Sequence, residues 1–465
     1  MSQSAAAVAA PGTATLSPRT RLLLEGPVAG TLLRLAAPNV LVMVLQAAVS
    51  TLDAVFVGWL GSDALAGVSL VFPLVMLMQT MSAGGMGGGV ASAVARALGG
   101  GRRADADALV VHALIIALAM AAGFTLALEA GGPTLYRAMG GTGPVLDSAV
   151  LYSRVLFGGA ITYWLFNTLG SAIRGAGNMA LPASVMVASG LLYLVLSPAL
   201  IMGWGPFPAL GIAGAATASV TAFSLGSLAL LAFLFSRQSL VRPTLHGRHL
   251  RLRLFWEILR VGAPGALNTV LTNLTIVLLT ALVGPFGAAA LAGYGMGARL
   301  EYLQIPLVFG LGSALVTMVG TSVGAGDFAR AQRVAWVGAG MAAGVTGVIG
   351  TLAALFPHLW LRLFTSDAEV LATGARYLGI VGPFYGFFGA GLALYFASQG
   401  AGRLLWPLLA GFARLLIAAG GGWVVVHWLH AGLAGLFTVM ALALVVLGLT
   451  VAVAIRAGAW RRVGG

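Results

Sequence analysis

The chain has 465 residues, of which 59% are hydrophobic and 8% charged, and its mean hydropathy is +0.99. A soluble body of that size would lack the polar side chains to cover itself, so the composition excludes a soluble enzyme and places the chain in a bilayer. The net charge of +13 rests on 25 basic residues, all arginine, and the absence of cysteine excludes disulfides and thiolate metal sites.

Residues 1–33 read as a disordered cytoplasmic tail, the first 18 being rich in alanine, serine, threonine and proline and lacking the order of a signal peptide. Apolar runs follow at 35–60, 65–97, 107–129, 146–173, 180–203 and 210–236, then at 256–284, 290–322, 332–357, 369–398, 404–428 and 431–455. Runs of such length satisfy their backbone hydrogen bonds as helices, and no short alternating strands appear. The fold class is therefore an all-α polytopic membrane protein with twelve transmembrane helices. A basic linker at 237–255 separates a six-helix lobe at 34–236 from a second at 256–455, and 456–465 form a cytoplasmic C-terminal tail.

With both termini cytoplasmic, the inside segments hold nineteen arginines and the outside loops only Arg137 and Arg362. That positive-inside bias orients the chain in the cell inner membrane. It also accounts for the net charge without nucleic acid: the linker is expected to touch anionic headgroups. His427 and His430, the most closely spaced histidines, read as interfacial residues and not as a metal site.

The two lobes repeat one another. Ala37-Pro38 matches Ala263-Pro264, Gly61 matches Gly287 and ALAG at 64–67 recurs at 290–293, all at a shift of 226. Further on, RGAGNMALP at 174–182 aligns with QGAGRLLWP at 399–407 at a shift of 225, and Arg154 and Tyr163 match Arg376 and Tyr385 at 222. Six crossings return the chain to its starting side, so the repeats are parallel and related by a pseudo-twofold axis along the membrane normal. Such a body suits alternating access around a central cleft.

Asp53 is a lone carboxylate in the first apolar run, where an ionised group costs several kcal/mol unless it titrates, pairs or meets a cargo. It lies 15 residues after Pro38, a natural bending point, with Gln46, Ser50 and Thr51 as polar neighbours. Glu301 in the eighth run either neutralises a buried arginine or faces the cleft beside Gln304. It is not an obvious partner of Arg299, two positions away. Arg154 and Arg376 are expected to snorkel to headgroups. The glycine run SAGGMGGGVASA reads as close helix packing, because the strand and lysine of a phosphate loop are missing. Met43, Phe72, Met76, Tyr163, Trp164, Asn167, Tyr193, Asn268, Asn273 and Tyr385 are candidates for an adaptable cavity wall.

These residues resemble the multidrug and toxic compound extrusion (MATE) transporters, in particular their DinF-like branch. The resemblance covers nearly the whole chain beyond residue 30 and rests on Pro38 and Asp53 followed by VGWLGSDALAG, on RGAGNMALP, on GIAGAATAS and on GMGARLEYLQIPLVFGLGSALVTMVGTSVGAGDFARAQ. It implies an exporter that exchanges organic compounds, cationic or amphipathic, for protons or sodium ions, with Asp53 as the cation-responsive carboxylate and Pro38 as its hinge. It implies no enzyme activity and no cofactor, with a small-molecule cargo and the bilayer as partners of a monomer. Many members of that branch carry Asn-x-x-x-Asp-Pro in the fifth span. Here Tyr193 and Ser197 stand before Pro198, which removes charge a sodium site would use and favours the proton, with Ser219 near a threonine of the family's sixth span. The seventh-span glutamate of another branch is also missing; Asn268, Thr272 and Asn273 occupy that region. A lipid-linked saccharide flippase of the same superfamily would need several cations in the cleft, and a channel or scaffold would not need a titrating residue beside a proline.

Overall fold

Twelve helical rods follow one another: α1 (Val28–Gly58), α2 (Ser62–Gly99), α3 (Arg103–Ala138), α4 (Gly143–Gly158 and Ala160–Gly175), α5 (Ala180–Met202) and α6 (Ile212–Phe235). The second half holds α7 (Leu252–Phe286), α8 (Ala288–Gly324), α9 (Phe328–Leu355), α10 (Ala368–Ala401), α11 (Leu405–His427) and α12 (Gly432–Arg456). The computed structural model describes residues 17–244 and 250–460, without the side chains of Val44, Ala47, Ala48, Ser50, Thr51 and Ala54. Among the described residues ten rods are long and apolar enough to cross a membrane as they stand. The two pieces of α4, bent by 45°, make an eleventh, and the 31-residue α1 is the twelfth.

The repeat seen in the sequence is present in the backbone. Gly61 before α2 and Gly287 before α8 share a left-handed φ of 102° and 103°, and Gly177 and Gly402 after α4 and α10 adopt 84° and 74°. Side chains with a Cβ rarely adopt that region, so the turns recur where glycine recurs. The rods break alike too: α4 bends at Gly159, and α10 is interrupted by a 3-10 turn at Gly382–Phe384.

Each lobe has its own core, around Phe157, Trp164 and Leu230 in the first and Leu378, Val381 and Phe437 in the second. A third core joins them, since Leu32 and Ala36 of α1 pack with Leu315, Val334 and Leu394 of the C-terminal lobe. The glycine run of α2 serves this junction as close packing: a Cβ on Gly85 would meet the backbone of Ala266 at 2.6 Å, and one on Gly89 would meet the backbone of Gly262 at 2.8 Å.

Polar contacts between lobes gather on the face that carries the start of α1, the α6–α7 connector and the end of α12. Ser92 Oγ donates to the carbonyl of Gly400 at 3.0 Å, and Arg96 donates to the carbonyl of Glu257 at 3.3 Å. Arg330 Nη2 donates to the carbonyl of Gly26 at 2.7 Å. Asp105 of α3 takes Arg253 at 2.8 Å and Arg251 at 3.4 Å, and the backbone of Arg251 donates to His112 Nε2 at 2.9 Å. These two arginines of the linker pair with a carboxylate of α3 while staying half exposed, their side chains 53% and 54% accessible. Residues 245–249 of the linker lie outside the described residues.

One expectation at the chain start is also corrected. Residues 18–33, read as part of a disordered tail, are largely helical. Ser17 accepts a hydrogen bond from the backbone of Thr20 and caps a short helix at Pro18–Glu25, and α1 begins at Val28. Residues 1–16 and 461–465 of the expected tails lie outside the described residues.

Candidate functional site

Asp53 stands near the end of α1 farthest from the interlobe junction. The hydroxyl of Tyr193 on α5 donates to Asp53 Oδ1, and Ser197 Oγ donates to the Tyr193 oxygen at 3.5 Å. Tyr193 and Ser197 share a helix face by their i, i+4 spacing, so α5 presents both hydroxyls to α1. Tyr152 and Tyr163 of α4 lie within electrostatic reach of the same carboxylate, and Tyr163 shares a hydrogen bond with Ser219 of α6. Among the described residues no arginine comes within ion-pair distance of Asp53. The group is therefore a carboxylate held by one neutral hydroxyl, an arrangement that accepts either a proton or its absence without breaking an ion pair. Ser50 and Thr51, noted as its neighbours, lie outside the described side chains.

Between the lobes lies a cavity of about 390 Å³. On the N-terminal side Asn39, Met43 and Gln46 of α1 line it, together with Tyr163 and Asn167 of α4 and Phe223 of α6. Asn268, Thr272 and Asn273 of α7, Phe309 of α8, Tyr395 of α10 and Arg414 of α11 line the other side. Asn167 Nδ2 donates to Ser82 Oγ at 2.8 Å, and the Tyr163 and Phe223 rings meet at 4.3 Å. Asn39 follows Pro38 and donates to Ser313 of α8 at 2.7 Å, so the proline of α1 is tied to the opposite lobe.

Glu301 of α8 is buried and paired. Arg414 Nη2 approaches its Oε1 at 3.2 Å, Tyr377 donates to its Oε2 at 3.1 Å, and the guanidinium lies over Phe388. Arg299 instead lies over Phe364. Among the described lining residues the cavity has two arginines, Arg174 and Arg414, and no carboxylate. Among the described residues no three histidine, aspartate or glutamate side chains converge as a metal site.

The MatE family model matches residues 38–199 and 264–424, once in each lobe. The chain belongs to the MatE family. The "Probable multidrug resistance protein YoeA" of Bacillus subtilis is 31% identical over 80% of this chain and 81% of its own length. The "FAD transporter" of Shewanella oneidensis is 25% identical over 85% and 87%. A solved structure described as the outward-facing conformation of a multidrug resistance MATE family transporter superposes with a TM-score of 0.86 at 25% identity, over 96% of this chain and all of that one. This MatE protein is thus a multi-pass membrane transporter of small molecules and not an enzyme, with its twelve helices in two repeats.

Within this framework the sequence candidates divide. Met43, Gln46, Tyr163, Asn167, Asn268 and Asn273 line the cavity, whereas Tyr193 turns away from it toward Asp53. Phe72 is 47% exposed on the outer surface, and Met76 is likewise off the cavity; the helix face that reaches it carries Gln79, Thr80 and Ala83. Trp164 is fully buried against Phe124, and Tyr385 is buried where Gly350 makes room for its ring. Gln304 is buried and donates to the carbonyl of Leu300, while Ile305 and Pro306 of the same helix meet the cavity. Phe72, Met76, Trp164 and Tyr385 fall off the cavity because an apolar or aromatic residue in a bundle has three destinations, core, lipid and cleft, and composition does not choose among them. Asn39 and Tyr152 carried no motif that would single them out, and Arg174 opens RGAGNMALP without being marked as a cavity residue; their roles depend on which face of each helix meets the other lobe.

Proposed function

We propose that this MatE protein exports organic small molecules by alternating access in exchange for protons, with Asp53 as the proton-carrying group. The observation that supports this reading is the Asp53 carboxylate held by the Tyr193 hydroxyl, itself backed by Ser197, on the same helix whose proline-bearing stretch lines the cavity. Protonation of Asp53 changes the charge at one end of α1, and Pro38, whose backbone lacks a donor, is where the helix yields. Because Asn39 bonds across the lobes, bending there loosens one tie of the closed face. The arginine bias supports a cytoplasmic assignment of that face in the inner membrane, and with it the reading of this state as outward-facing.

The test is transport in proteoliposomes with a pH gradient or a sodium gradient imposed separately, using fluorescent cargoes of both charges. A pH gradient alone should drive transport, and Asp53→Asn should abolish the drive. Sodium dependence without proton dependence would replace the coupling ion, and full transport by the variant would remove Asp53 from the mechanism.

A further inference from the structure

We infer that the central cavity binds aromatic organic anions, held by Arg174 at its floor, in contrast to the cationic cargo that the family resemblance suggested. The inference rests on the reading of this cavity as the cargo site and names its substrate class. Both charged side chains on its described wall are cations, and they differ in kind. Arg414 is neutralised by Glu301 at 3.2 Å. Arg174 has no carboxylate partner among the described residues; its guanidinium donates to Ser171 Oγ at 2.8 Å. One uncompensated positive charge therefore faces the cavity.

Position adds to charge. Arg174 is next to the last residue of α4, at the interlobe junction, where it lines both the main cavity and a smaller chamber of about 20 Å³ bordered by Gly84, Gly87 and Gly88 of α2. Its backbone is fixed from the other lobe, since Thr317 Oγ1 donates to its carbonyl at 3.0 Å. A guanidinium held in a low-dielectric floor presents directed donors to a carboxylate or phosphate, and an organic cation there would meet like charge without a compensating carboxylate. Above it, Tyr163, Phe223, Phe309 and Tyr395 give the cavity aromatic faces, with Asn39, Asn167 and Asn268 as neutral polar points. The whole matches a flat aromatic body with one anionic end.

The test is binding to the purified full chain in detergent, read by ligand fluorescence, with three probes. Flavin mononucleotide and riboflavin share one ring system and differ by a phosphate, and ethidium is an aromatic cation. The native chain should bind flavin mononucleotide about tenfold or more tightly than riboflavin, the scale of a hydrogen bond to a charged group, and should bind ethidium weakest. Arg174→Gln should erase the preference for the phosphate, while Arg174→Lys should retain part of it. Equal affinities for the two flavins in the native chain, tighter binding of ethidium, or no binding of flavin mononucleotide at millimolar concentration would each overturn the inference. Displacement of the bound flavin by phosphatidylglycerol and not by another aromatic anion would make the cavity a lipid site and overturn it as well. Because the native chain alone supplies the decisive ratio, a variant that fails to fold leaves the test intact. Binding needs no gradient, so a failure of proton coupling would leave this result standing, and the reverse also holds.

Discussion

In the N-terminal lobe Asp53 faces hydroxyls, whereas in the C-terminal lobe Glu301 is clasped between the Arg414 guanidinium and the Tyr377 phenol. The lobes are repeats, yet these carboxylates are not equivalent: Asp53 lies on the first helix of its lobe, where the matching position at a shift of 226 is the buried Leu279, and Glu301 lies on the second. The Glu301 carboxylate is held by charge as well as by hydrogen bonding, while the Asp53 carboxylate has a neutral hydroxyl as its partner. Duplicated architecture therefore supplies two similar walls for a cleft, and asymmetric polar chemistry gives them different work.

The largest expected effects test that division. Asp53→Asn should abolish transport driven by a pH gradient while leaving the unfolding temperature in detergent near that of the native chain, since a neutral amide still meets the Tyr193 hydroxyl. Glu301→Gln should do the opposite. Leaving Arg414 without its counter-charge should cost about 3 kcal/mol of stability, and the double variant Glu301→Gln/Arg414→Gln should recover most of it. Transport lost in Glu301→Gln with stability unchanged would mean that both lobes titrate, and the comparison would break.

A smaller effect is expected from Tyr193→Phe. It removes the donor to Asp53 and leaves the ring, so the ionised carboxylate loses a stabilising hydrogen bond. The acid limb of the transport profile should move to higher pH, with the maximal rate reduced less than in Asp53→Asn. A profile measured at matched gradients and left unmoved would show that the phenol positions α5 without tuning the carboxylate.

What was legible in the sequence follows from what acts locally. Apolar run length, the positions of Gly61, Gly177, Gly287 and Gly402, and the prolines of α1 and α7 act through the backbone, so helix count and repeat could be read from one chain. Asp53 could be singled out because the cost of a carboxylate in an apolar helix is set by depth. The partner of Glu301 could not, since Arg414 is 113 positions away and becomes a neighbour when α11 packs beside α8. The same limit hid Arg174, whose helix-end position looked like one more cytoplasmic arginine until the second lobe closed over it. Phe72 and Trp164 show the converse error: both are aromatic residues in apolar helices, yet one faces outward and the other is sealed in the core of its lobe.

The smallest effect concerns Arg154, whose place in α4 matches that of Arg376 in α10 by sequence. Its guanidinium lies 3.8 Å from Glu129, and the two side chains are 61% and 40% exposed. Arg414 and Glu301, by contrast, are 12% and 10% exposed at 3.2 Å. An exposed pair is worth at most about 1 kcal/mol because solvent and lipid headgroups replace either partner, so Glu129→Gln should change stability by about 0.5 kcal/mol or less. Thermal unfolding of Glu129→Gln and Glu301→Gln under one detergent condition makes the comparison directly. A large loss in the first would mean that the arginine bonds of α4 and α11 differ in burial but not in consequence. The distinction between an ion-paired carboxylate and one without an arginine would then need a cause other than burial.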